Sequence, residues 1–133
     1  MKFEHKLVFH VPLMYSVGNR LEEIKTPEIV QNLIQKLFDA GYDSFYVQDA
    51  DGYYTRRENF GRQYPEKLIT LFTGQSGMPD DTKERLTQDA IQIFQQWIRK
   101  HDDELRQEEY AYELDGKLYT YMFWEARENT MGG

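Results

Sequence analysis

An α+β fold, with a mainly antiparallel sheet and two helices on one of its faces, is predicted by three observations. Two segments, 27–40 and 80–100, carry apolar residues at helical spacing. Two Asp-Gly dipeptides, Asp51-Gly52 and Asp115-Gly116, stand between runs of strand-forming residues, the pattern of a two-residue hairpin turn. The 133 residues include 10 Tyr and 8 Phe, an aromatic load suited to sheets with one packed face.

The first strand is expected over 5–15, with Leu7, Phe9 and Val11 on one face and Val8 and His10 on the other. Pro12 cannot donate to a ladder, so it marks an edge, a bulge or the strand's end. A polar connection follows over 16–25. The first helix, 27–40, has Thr26 as N-cap, Pro27 at its first position and Gly41 as C-cap. Ile29, Val30, Leu33, Ile34, Leu37 and Phe38 form its apolar stripe.

Strands 43–50 and 53–58 would then pair about a turn at Asp51-Gly52, where positive φ suits Gly and is tolerated by Asp. A loop over 59–66 leads to an apolar strand at 67–73, the kind covered on both faces. After a turn-rich linker, 74–79, the second helix buries Leu86, Ala90, Ile93, Phe94, Trp97 and Ile98, and the charged stretch 101–109 either extends it or forms an exposed connection. The last hairpin, 109–115 with 117–124 about Asp115-Gly116, puts Tyr110, Tyr112, Tyr119, Tyr121 and Phe123 on one face and Glu113 on the other.

The resulting order, β-α-β-β-β-α-β-β, embeds a β-α-β-β-α-β core and resembles a ferredoxin-like sandwich in element order alone, so no residue role is carried over from it. Residues 1–124 form one expected domain and 125–133 a frayed polar tail. In such a fold the sheet face away from the helices is solvated, covered by a partner or folded round a ligand.

Composition narrows the function classes. With no cysteine, disulfides, thiolate metal sites and thiol nucleophiles are excluded. Net charge is −7, against the basic face of a nucleic-acid binder. The apolar stretch 7–14 is broken by His10 and Pro12, unlike a signal peptide, and no run reaches the roughly 20 apolar residues of a membrane span. A cytoplasmic protein without membrane or nucleic-acid contact is expected.

No phosphate-binding loop or Gly-x-Ser-x-Gly elbow is present, and no cofactor is expected. No metal is expected either: counting Asp49 as the first position of a calcium loop puts Phe60 where the twelfth-position glutamate belongs. The four tyrosines and Phe123 of the last hairpin are candidates for an aromatic contact surface, although tyrosines commonly just cover a sheet. Arg56, Arg57, Arg62 and Lys67 make a local basic patch able to hold a carboxylate or phosphate, or simply to pair with nearby acids. His10 next to the core is a candidate base or a hydrogen-bonded core histidine.

These features lead to the expectation of a non-catalytic binding or regulatory module that self-associates through a sheet surface, as a homodimer or with another protein. One alternative is an enzyme or ligand-binding protein with a pocket between sheet and helices for a small anionic or aromatic compound, lined by His10, Tyr15, Tyr46, Arg56, Arg57 and Tyr112. A second is an acidic mimic of nucleic acid using Asp102, Asp103, Glu104, Glu108 and Glu109.

Overall fold

The computed structural model describes residues 2–17, 20–24, 26–54, 62–107 and 109–122. Among the described residues, seven strands and two helices follow one another: β1 (Phe3–Pro12), β2 (Met14–Val17), β3 (Arg20–Glu23), α1 (Thr26–Asp39), β4 (Phe45–Tyr54), β5 (Arg62–Gln75), α2 (Asp80–Leu105), β6 (Glu109–Leu114) and β7 (Lys117–Met122). Five strands form an antiparallel sheet in the order β4-β5-β1-β6-β7, and β2 pairs with β3 as a separate hairpin. Without β7 and the small hairpin, this is the predicted β-α-β-β-α-β core with β1 and β5 central.

Period-two alternation decides which residues meet the helices. Leu7, Phe9 and Val11 of β1 and Ile69 and Leu71 of β5 are buried with Ile29, Val30, Leu33 and Leu37 of α1 and Ala90, Ile91, Phe94, Trp97 and Ile98 of α2. The Phe9 ring stacks on Phe94 with centroids 4.5 Å apart. Trp97 is fully buried, and its indole N–H donates to the Ile29 carbonyl at 3.0 Å, tying α2 to α1. Both helices therefore lie on one face, as the apolar stripes require.

The Asp51-Gly52 turn is corrected. β4 runs straight through both residues and pairs with β5 from Phe45↔Leu71 to Tyr54↔Arg62. A turn at 51–52 would close a short ribbon, whereas the observed ladder spans all ten residues of β4 and lays it against the central strand. Glycine permits this, because its backbone takes extended geometry as readily as a turn. The expected strand 53–58 thus has no separate existence at its described end, and 55–61 lie outside the described residues.

The second Asp-Gly forms the expected turn. Asp115 has φ 53° and Gly116 φ 81°, and β6 and β7 pair in the predicted register, Tyr112 with Tyr119 and Tyr110 with Tyr121. A tertiary clamp helps to hold it: the Asp115 carboxylate accepts the Lys6 backbone N–H at 2.9 Å and faces His5 Nδ1 at 2.8 Å, while the Asp115 N–H donates to the Lys6 carbonyl at 2.9 Å.

Three further boundaries shift. β1 stops at Pro12, and the expected polar connection instead contains the β2–β3 hairpin. The apolar strand extends to Arg62–Gln75, and its side away from the helices is only partly covered: Phe72 there is 43% exposed, Thr70 8%. α2 continues to Leu105 and ends at Arg106, a left-handed cap whose N–H donates to the Asp102 carbonyl. None of the helices in the described residues is long and apolar enough to cross a membrane.

Candidate functional site

Even-numbered residues of β1 over 6–10, of β4 over 46–50 and of β5 over 66–72 point away from the helices, as do odd-numbered residues of β6 (Glu113 pairs with Val8, Ala111 with His10). At the centre of this open face stands His10. Leu68 and Ala111 are its direct neighbours, and carboxylates reach it along the two diagonals. Glu113 Oε2 lies 2.9 Å from His10 Nε2, and Glu66 Oε2 lies 3.6 Å from Nδ1. The three side chains are 22% (His10), 35% (Glu113) and 13% (Glu66) exposed.

The Glu66 carboxylate is the largest influence on His10, raising its pKa above the ordinary 6.5; burial opposes it and Glu113 reinforces it. Glu113 is nearer, but Glu66 is more deeply buried, where a charge is less screened by water. With Glu113 within hydrogen-bond distance of Nε2 and the Glu66 carboxylate 3.6 Å from Nδ1, the protonated ring is favoured more than in a free histidine. His10 thus lies between two carboxylates, one at each ring nitrogen. Its carboxylates sit at different ring nitrogens rather than around one point, and among the described residues no His, Asp and Glu set could hold a metal ion.

The floor around this centre is uneven. One row across four strands runs Tyr46, Thr70, Val8, Glu113. Tyr46 is 63% exposed, while Thr70 and Val8 are each 8% exposed. Phe72 is diagonal to Tyr46 on the same face.

Of the residues expected to line one pocket, His10 and Tyr46 share this face. Tyr15 lies on β2, donating to Glu22 at 2.7 Å with Arg106 5.1 Å over its ring; the Glu22 bond leads the causes that raise the phenol's pKa. Tyr112 faces the helix side and stacks on Tyr119 with centroids 5.3 Å apart. Arg56 and Arg57 lie outside the described residues. The space between sheet and helices, where that pocket was expected, is filled by Phe9, Phe94 and Trp97, all fully buried.

The proposed aromatic surface divides as well. Tyr110 is buried and donates to Asp102 at 3.0 Å, Tyr119 is 43% exposed, Tyr121 pairs with Tyr110 in the ladder, and Phe123 lies outside the described residues. Asp102 is itself buried, so the run at 102–104 does not present a continuous acidic array. Lys67 of the basic patch is paired with Asp49 directly across the ladder.

Sequence reasoning missed Glu66 and Glu113 as a pair. The sequence pattern puts Glu66 at the end of a loop and Glu113 on the opposite hairpin face from the tyrosines, with no local signal that joins them. The available signal was a glutamate on the same side of the alternation as His10 in a strand otherwise rich in apolar residues.

No protein-family model and no curated protein sequence matches the chain. Among solved structures, a phage SAM lyase in complex with S-methyl-5′-thioadenosine superposes with a TM-score of 0.59 at 15% identity, covering 89% of this chain and 88% of that one. A phage SAM lyase in its apo state gives a TM-score of 0.54 at 17% identity, with the same coverage. At this identity the likeness shows the fold. It also overturns the expectation of a non-catalytic module, because both of these structures, which share the architecture over nearly the whole chain, are of an enzyme.

Proposed function

We propose that this chain is a small enzyme that cleaves the sulfonium centre of S-adenosylmethionine on the open face of its sheet, with Glu66 and Glu113 holding the cationic end of the substrate. The observation that carries this reading is the shared fold over 89% of the chain with a SAM lyase. Charge supports it too: the protein is acidic, with net charge −7, and its open face centres on two carboxylates flanking the His10 ring. The reading replaces the anionic ligand expected from the arginines with a cationic one. A cytoplasmic location belongs to the same proposal and suits a chain without cysteine.

The reaction requires no second substrate. The bond between sulfur and the aminobutyrate carbon breaks, its electron pair passes to sulfur, and S-methyl-5′-thioadenosine leaves as a neutral thioether. The four-carbon fragment balances either by losing a proton from the adjacent carbon to solvent water or by closing onto its own carboxylate, which releases no proton.

Because positive charge disappears from sulfur as the bond breaks, carboxylates near it contribute binding and orientation more than transition-state stabilisation. The neutral product loses that attraction, which favours release. His10 acts through the glutamates: its ring lies between them and keeps them in one arrangement.

Incubation of the protein with S-adenosylmethionine, followed by chromatography, tests the proposal. S-Methyl-5′-thioadenosine should accumulate with wild type and fall at least tenfold with Glu66→Gln or Glu113→Gln. Proton magnetic resonance of the four-carbon product separates a vinyl compound from a lactone. No thioether above the level of a boiled control would falsify the reading.

A further inference from the structure

Resting on the sulfonium-nucleoside reading for the identity of the ligand, we propose that Tyr46 and Phe72 form the platform on which the substrate's purine ring stacks. Tyr46 is 63% exposed and Phe72 43% exposed, both on the face that carries His10. They are diagonal across the β4–β5 ladder, a separation of about 7–8 Å that lets large rings share one surface. Of the other exposed rings, Phe38 packs on Phe45 at 4.8 Å and Tyr119 on Tyr112 at 5.3 Å, while Phe3, 48% exposed, stands at the far end of β1 opposite Gln75, seven residues from His10. Among the described residues neither Tyr46 nor Phe72 has such a ring partner.

The row beginning at Tyr46 supplies the direction. From Tyr46 it passes over Thr70 and Val8, short side chains that are 8% exposed, to Glu113. Three strand spacings make this about 14 Å. Tall aromatic side chains at one end, a low floor and a carboxylate at the other end describe a trough. Its length and polarity suit an extended nucleoside whose 5′ carbon bears a cationic chain, with the base at the rings and the chain directed to Glu113. Bases stack on aromatic faces without needing specific hydrogen bonds, so the platform recognises the flat purine while the glutamate recognises charge.

Equilibrium binding of S-methyl-5′-thioadenosine isolates the platform, because this ligand has the purine and no cationic chain. Tyr46→Ala and Phe72→Ala should each weaken it between about fivefold and a hundredfold, the usual range for one stacking ring. Tyr46→Phe should stay within about twofold of wild type. Glu113→Gln should weaken S-adenosylmethionine and leave the thioether unchanged. Phe72→Trp keeps a ring and should show indole quenching on thioether binding, which protects the test against a poorly folded alanine variant. Unchanged thioether affinity in both alanine variants, with wild type binding, overturns the platform and leaves the sulfonium-nucleoside reading intact. Wild type binding neither ligand overturns both.

Discussion

His10 and Glu113, 103 residues apart in the chain, meet at 2.9 Å in the centre of the open sheet face. Glu66 approaches the opposite ring nitrogen from the other neighbouring strand. A hydrogen-bonded histidine of this kind is a titrating cross-strand clamp, and its consequence can be measured.

The folded-state pKa of His10 is raised, chiefly by Glu66. A raised pKa means that the clamp's contribution to stability is fully present below the unfolded value near 6.5 and is lost as pH rises through the folded value. Wild type should therefore exceed His10→Gln in melting temperature by more at pH 6 than at pH 9. Equal differences at both pH values would show that the ring contributes only packing.

The two Asp-Gly pairs should respond differently to alanine. Gly116 has φ 81°, with open space where a Cβ would go, so Gly116→Ala should cost about 1–2 kcal/mol from backbone strain alone. Gly52 lies inside β4, and Gly52→Ala should be neutral or stabilising by up to about 1 kcal/mol. Urea denaturation of the two variants measures the contrast, and an equal loss in both would contradict the continuous strand.

Gly74 combines both penalties. Its φ is +74°, and an added Cβ would lie 2.9 Å from His5 Cδ2. Gly74→Ala should cost about 1–3 kcal/mol. Replacing His5 by Ala in the same chain relieves the collision and leaves the strain, so the double variant should lose less than the sum of the single changes in a denaturation cycle.

Tyr110→Phe removes the hydroxyl that donates to buried Asp102 at 3.0 Å. Hydrogen bonds to a charged group contribute about 1.5–3 kcal/mol, and a loss in that range is expected in chemical denaturation at neutral pH.

Much of the framework was legible because it is local. The stripe from Ile29 to Leu37, that from Ala90 to Ile98, and the Asp115-Gly116 turn each depend on residues within a few positions of one another. The same locality misled at Asp51-Gly52: the dipeptide is compatible with a turn, but pairing with β5 along the full length of β4 wins. His10 and Tyr46 were legible as candidates, whereas their grouping with Glu66 and Glu113 was not, since no local rule links residues on different strands.

By itself, the sequence determined the helices, the inward set Leu7, Phe9 and Val11, the last hairpin and its tyrosine register, and the surplus sheet face. Periodicity and turn chemistry act over one or two turns or strand pairs, and their energies are readable residue by residue. Only the tertiary structure decided that β4 continues through glycine, that Tyr112 and His10 face opposite ways, and that Glu66 and Glu113 close on one imidazole. Those outcomes depend on strand order and register, which follow from burying both helices on one face of a common sheet.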